Sequence, residues 1–111
     1  MGKFEISKRK NGEFQFNLKA GNGQVILISE GYTKKENCKN GIESVRKNSQ
    51  VESRFEKLES KNGKPYFNLK ATNGQIIGTS ELYKSVASRD NGIASVVKNA
   101  PDAEVVDLSA E

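Results

Sequence analysis

Along residues 13–20, EFQFNLKA, the apolar side chains Phe14, Phe16, Leu18 and Ala20 alternate with Gln15, Asn17 and Lys19. A period of two is the pattern of a strand with one buried face. The pattern returns at residues 65–71, where Pro65, Phe67, Leu69 and Ala71 alternate with Tyr66, Asn68 and Lys70. Pro65 stands at the strand start, where a missing N–H does least harm. Earlier strands are predicted at Phe4–Lys8 and Phe55–Glu59, each followed by an Asn-Gly pair (Asn11-Gly12, Asn62-Gly63). With Asn22-Gly23 and Asn73-Gly74 after the second strands, these pairs read as hairpin turns. Each half of the chain thus opens as a three-stranded meander.

A further Asn-Gly pair in each half, in NGIESV at 40–45 and NGIASV at 91–96, reads differently. Cys38, Gly41, Ile42 and Val45 fall at i, i+3, i+4 and i+7, one face of a helix, and Ile-Glu-Ser-Val shows no alternation. Thr33 with Glu36 predicts a capping box at the helix start, and Val86, Ile93, Val96 and Val97 predict the matching buried stripe in the second half. Glycine inside a helix costs about 1 kcal/mol relative to alanine. On the apolar face, Gly41 and Gly92 would let the helix approach the sheet closely. Short apolar stretches at 51–58 and 103–108 follow the helices, so each unit is β-β-β-α-β, its last strand able to lie beside its own meander or to cross to the other.

The two halves are copies. Shifting the chain by 51 residues superposes KNG (10–12 on 61–63), FNLKA (16–20 on 67–71), NGQ (22–24 on 73–75) and Ser29-Glu30 on Ser80-Glu81. Tyr32 falls on Tyr83, and Lys47-Asn48 on Lys98-Asn99. Stacked repeats generally need three or more copies, so two copies predict a pseudo-twofold pair, residues 1–51 and 52–111. A half of about 50 residues would be marginal alone, and the pair is expected to share one core. The fold class is α+β: one largely antiparallel sheet with two helices on one face.

FNLKA, NGQ, SE.Y and NGI.SV, each present twice across nearly the whole chain, resemble the YegP-like bacterial proteins. The resemblance implies two β-β-β-α-β units in one continuous sheet, with C-terminal strands exchanged between the repeats. It implies no activity. The second copy departs from the first at Arg89-Asp90, where the first has Cys38-Lys39, so the two helices present different surfaces.

Composition then limits the chemistry. Only 34% of the 111 residues are hydrophobic, yet they come in periodic clusters, which argues for a folded chain. No apolar run approaches the roughly 20 residues of a membrane helix, and MGKFEISKRK lacks the apolar stretch of a secretory signal. A cytoplasmic monomer is expected. With one cysteine and no histidine, an internal disulfide and the usual Cys/His zinc sites are ruled out, and neither metal nor cofactor is expected.

Among chemical candidates, Cys38 lacks a histidine to activate it and lies on the inward face. Glu30 and Glu81 would suit paired acid–base work if they met across the twofold, but a Ser-Glu pair just ahead of a helix reads first as a turn and a partner for the helix dipole. GNGQ has glycines without the strand-turn-helix context of a phosphate loop. Binding is the better class. Residues 1–51 hold ten Lys/Arg against five Glu, a net of +5, and residues 52–111 hold eight against nine, a net of −1. Lys34, Lys35, Arg46 and Lys47 are therefore candidates for a polyanion, nucleic acid included, although base-stacking aromatics are missing. The preferred reading is a non-enzymatic module whose partner, a protein for choice, meets the polar sheet face: Asn17, Lys19, Tyr66, Asn68 and Lys70. Asn and Lys are poor strand formers, and their recurrence there asks for a reason.

Overall fold

The computed structural model describes residues 2–109. Repeat 1 supplies β1 (Lys3–Lys8), β2 (Phe14–Lys19), β3 (Val25–Ile28) and α1 (Lys35–Asn48). Repeat 2 supplies β4 (Phe55–Glu59), β5 (Pro65–Lys70), β6 (Ile76–Thr79), α2 (Val86–Asn99) and β7 (Glu104–Asp107). Short 3₁₀ turns at Glu52–Arg54 and Ala100–Asp102 follow the helices, so the strand expected from Val51 begins only at Phe55. The Asn-Gly pairs at 22–23 and 73–74 make the hairpin turns: Gly23 and Gly74 both take φ of +86°, and the Asn22 and Asn73 carboxamide oxygens accept from the backbone two residues on.

One seven-stranded sheet results, in the order β4-β5-β6-β3-β2-β1-β7. The meanders meet at their third strands, where Ile28 pairs antiparallel with Thr79, its own counterpart 51 residues on. A twofold axis through the sheet requires that pairing. Beside it the copies differ on purpose of space: a Cβ on Gly78 would sit 2.7 Å from the Leu27 side chain, and Leu27 is the residue Gly78 replaces. Two leucines would collide there.

Both helices lie on one face, and each spans the repeats: α1 packs on β2, β5 and β6, and α2 on β5 and β3. The core is continuous, from Phe4, Ile6, Phe16 and Leu18 to Phe67, Leu69 and Val96. Under each helix an aromatic chain is written twice. Phe4 meets Phe16 edge-on at 5.7 Å and Phe16 stacks on Tyr32 at 6.4 Å; Phe55, Phe67 and Tyr83 repeat this at 5.7 and 6.3 Å. The helix glycines rest on these stacks. A Cβ on Gly41 would run into the Tyr32 hydroxyl and lie 3.0 Å from its Cζ, and Gly92 stands likewise over Tyr83. The close approach read from the sequence is thus to the aromatic stack above the sheet.

Two expectations at the helices are corrected. The Thr33–Glu36 capping box does not form, because the cap position falls one residue later, on Lys34, whose side chain makes no capping bond. Its counterpart Ser85 does cap α2, accepting from the Ser88 backbone N–H at 3.1 Å. Nor is the α2 stripe wholly buried: Val96 is, Ile93 partly, but Val86 and Val97 are 54% and 37% exposed.

The cause of that exposure is the placement of β7. It crosses to repeat 1 and runs parallel to β1, with Val105 beside Phe4 and Asp107 beside Ile6. No reciprocal crossing accompanies it, since the segment after α1 leads straight into β4. Repeat 1 holds β7 firmly. The Lys35 ammonium donates to Asp107 Oδ2 at 2.8 Å, Ser109 donates twice to Oδ1, and Arg46 donates to the Ala103 carbonyl at 2.6 Å while lying over the Phe4 ring.

Two predictions follow from this packing. In an open helix Gly→Ala stabilises by about 1 kcal/mol, but Gly41→Ala should destabilise by on the order of 1–3 kcal/mol in urea unfolding, with Tyr32→Phe in the same chain recovering part. A Gly41→Ala protein as stable as the parent would remove the packing role. The second concerns acid. Lys35, then Ser109, hold the Asp107 carboxyl well below the usual range. A depressed folded pKa gives stability present above the unfolded value near ~3.9 and lost as pH falls below it. Lys35→Ala should therefore flatten the acid limb of the stability curve and speed amide exchange in β7; an unchanged acid limb would show that this pair does not hold the strand.

Candidate functional site

The sheet face away from the helices carries the five residues read as a candidate binding face, and the polar groups of four, Asn17, Lys19, Asn68 and Lys70, are engaged with neighbours in the same repeat. Lys19 pairs with Glu5 at 2.9 Å across β1–β2, and Gln15 donates to Asn17 at 3.0 Å and accepts from Arg9 at 2.7 Å. In repeat 2, Lys70 pairs with Glu56 at 3.2 Å. Asn68 is buried, accepting from Thr79 at 2.8 Å and donating to Glu56 at 3.3 Å. Lys70 and then Asn68 pull the Glu56 carboxyl below its ordinary pKa. Tyr66 is half-buried, opposite Leu58. Cross-strand pairing therefore accounts for most of this recurrence of Asn and Lys.

The four basic candidates separate. Lys35 and Arg46 are spent on β7, and Arg46 also pairs with Glu43 at 3.1 Å. Lys34 and Lys47 are exposed at opposite ends of α1, 13 residues and so about 20 Å apart. No compact cationic surface forms from the set.

Ser29-Glu30 and Ser80-Glu81 close the strands. The buried hydroxyls of Ser29 and Ser80 accept from the Phe16 and Phe67 backbone N–H groups at 2.9 and 3.0 Å. Each donates to the next carbonyl, of Glu30 or Glu81, at 2.8 Å. The carboxylates themselves are exposed and lie five residues ahead of their helices, outside the first turns. Neither the expected turn nor the dipole partnership is realised: both pairs carry cross-strand bonds past the ends of β3 and β6, Ser29 N–H to the Phe16 carbonyl and Ser80 N–H to the Phe67 carbonyl.

Sequence reasoning missed two clefts that the twofold relates. In the first, of about 820 Å³, Asn40, Ser44 and Lys47 of α1 face Thr72 and Asn73 in the β5–β6 turn. In the second, of about 620 Å³, Ser95 and Lys98 of α2 face Gly21 and Asn22 in the β2–β3 turn. Asn91 lines a narrower pocket of about 390 Å³ that shares Asn22 and Ser95 with it. Each cleft thus sets the helix of one repeat against a turn of the other. The spacing Asn-x3-Ser-x2-Lys places the three side chains at i, i+4 and i+7, on one stripe beside the buried one. Ser44 and Ser95 are fixed by the following Asn48 and Asn99, whose amides donate to the serine carbonyl and hydroxyl in both copies. Asn40, Asn91, Lys47 and Lys98 are exposed, with no side-chain hydrogen bond or ion pair to the described residues. The signal was in the repeat itself, which copies these residues as faithfully as the buried ones.

Among the described residues no cluster of three or more His, Cys, Asp or Glu could hold a metal ion. No helix there is long and apolar enough to cross a membrane.

Comparison with known proteins agrees with the duplicated architecture. The family described as a domain of unknown function, DUF1508, matches twice, over residues 10–56 and 60–107. A UPF0339 protein of Shewanella oneidensis is 57% identical over 97% of this chain and 98% of its own. YegP of Escherichia coli is 54% identical over 96% of each. The solution NMR structure of a UPF0339 protein from S. oneidensis has a TM-score of 0.93 at 57% identity, covering 97% of this chain and 92% of that one. That of E. coli yegP, described as a protein of unknown function, has a TM-score of 0.94 at 52% identity, covering 99% and 95%. With both halves matched and overlap nearly complete, the chain belongs to the DUF1508 family, among its UPF0339 (YegP) members.

Proposed function

We propose that the chain is a non-enzymatic recognition module that offers one polar cleft per repeat to the same class of hydrogen-bonding ligand. The observation that carries this reading is the pair Asn40 and Asn91. Each sits in mid-helix, where asparagine costs up to about 0.7 kcal/mol relative to alanine, and each is exposed at a cleft without a structural bond. A residue that weakens its helix twice, at equivalent places, fits a contact made to something else. Lys47 and Lys98 add a cation to each cleft, and the facing Asn-Gly turns add carboxamides and backbone N–H groups.

The non-enzymatic half of the reading rests on Cys38. Its side chain is fully buried, and burial first, then the charge of Asp107, push the thiol up to about 11. Thiolate is the nucleophile, so this group is inert near neutral pH. Alkylation of the folded protein at pH 8 should follow the global unfolding rate; reaction within seconds in native buffer would return Cys38 to the list of nucleophiles.

The clefts are tested by amide shifts. A panel of short acidic peptides and oligosaccharides, added to isotopically labelled protein, should move two sets of signals together: 40–47 with 72–74, and 91–98 with 21–24. Asn40→Ala with Asn91→Ala should abolish the shifts while leaving stability equal or slightly raised, as the better helix former replaces the poorer. Shifts confined to Asn17, Lys19, Tyr66, Asn68 and Lys70 would transfer the site to the sheet face.

A further inference from the structure

The two outer edges of the sheet are counterparts treated differently. At one, β1 is covered by β7: the Leu108 backbone N–H donates to the Ile6 carbonyl at 2.8 Å, Ala103 is buried, and Lys35 and Arg46 of α1 clasp the added strand. At the other, β4 ends the sheet. A groove of about 550 Å³ runs between β4 and α2, with Phe55, Ile93, Ala94 and Val97 among its walls and Lys57 and Asp90 on its rim. Phe55 is the counterpart of Phe4, Ile93 of Ile42, and Val97 of Arg46.

The residues of α2 that stand where α1 grips β7 have changed character. Val86 replaces Lys35 and Val97 replaces Arg46, and both are exposed. Of the two, Val97 lines the groove with Phe55 and Ile93, and apolar side chains beside an unpaired strand edge are what an added strand would cover. Lys57 stands where Ile6 stands, on the side of the sheet that faces the helices. Its ion pair with Asp90 is loose, at 3.8 Å with side chains 53% and 47% exposed. In the β1–β7 register the position beside Ile6 is held by an acid, Asp107, with an aliphatic residue, Val105, two before it beside Phe4.

We infer that the β4 edge is a docking site for an extended peptide of a partner protein, added parallel to β4, with an aliphatic residue over Phe55 and an acidic residue two positions later against Lys57. Backbone hydrogen bonds to β4 hold the segment, while Ile93, Val97 and Lys57 select its side chains. The internal strand on β1 is the pattern for this ligand. A second copy of the chain is disfavoured as occupant, because lending its β7 would break the Lys35 and Arg46 bonds and uncover Phe4 and Ile6, both fully buried. Lys57 also sets the edge against indiscriminate pairing, since an inward-pointing charge on an edge strand repels an apolar intruder.

The test uses a synthetic peptide copying residues 101–109, PDAEVVDLS, titrated into the full-length labelled protein. Saturable amide shifts are expected along Phe55–Glu59 and Ile93–Val97, with those of β1 and β7 unmoved. Replacing the peptide residue that copies Asp107 by lysine should weaken binding roughly tenfold, the size of a partly desolvated pair turned repulsive, and Lys57→Glu should invert that preference. Val97→Glu, at an exposed position, should abolish the shifts. Three results would overturn the inference: no saturable shift, shifts at β1 and β7 that signal strand displacement, or concentration-dependent changes at Phe55–Glu59 without peptide, which would make a second copy the occupant.

Discussion

In each repeat a tyrosine ring lies on a phenylalanine that projects from the central strand of a meander, and a helix glycine lies against the tyrosine. That contact fixes the height of the helix over the sheet. Any side chain larger than hydrogen at Gly41 or Gly92 would lift the helix from the stack, and with it Ile42, Val45 and Val96, which fill the space beside the glycines. Because α1 and α2 each span strands of both repeats, the two seats are coupled through the shared core. The strands of the two meanders pair at one position, Ile28 with Thr79. The helices are the staples, and the aromatic stacks set where the staples close.

The pseudo-twofold is obeyed where the copies carry the same job and broken where one place must serve both. Near the axis, two leucines could not share the volume that Leu27 fills, and repeat 2 supplies glycine. At the edges, a single chain with two repeats has only one C-terminal segment. The segment after α1 is consumed as the approach to β4, so repeat 1 receives a covering strand and repeat 2 does not. The chemistry of the helices follows this difference, with Lys35 and Arg46 where a strand must be held and Val86 and Val97 where none is.

The meanders, the helices and the inward faces of β2, β5 and α1 were legible in the sequence because each depends on local periodicity and on Asn-Gly turns. The exposure of Val86 and Val97 was not. Periodicity says which residues share a face; it does not say how much of that face a remote strand will cover. The same holds for the basic candidates: Lys35 and Arg46 look available until their partners, 72 and 57 residues away, are in place. On the sheet face, alternation showed that Asn17, Lys19, Asn68 and Lys70 point outward, but the register that sets Glu5 and Glu56 beside them is a property of the hairpins.

Duplication offers a way to separate structural from functional residues without any other sequence. Positions kept identical in both copies and given a partner inside the fold need no further reason: Ser29 and Ser80 close the strands, Asn48 and Asn99 fix a serine one turn earlier, and Gly41 and Gly92 seat the helices. Lys47 and Lys98 have half a reason, since a cation in the last turn complements the helix dipole. Asn40 and Asn91 have none of these. They are exposed, they weaken the helix, and they are not in a turn, a cap or a side-chain network. Within the helices, after the internal duties are subtracted, what remains of the repeat is one asparagine each, lining a pocket between a helix of one repeat and a turn of the other.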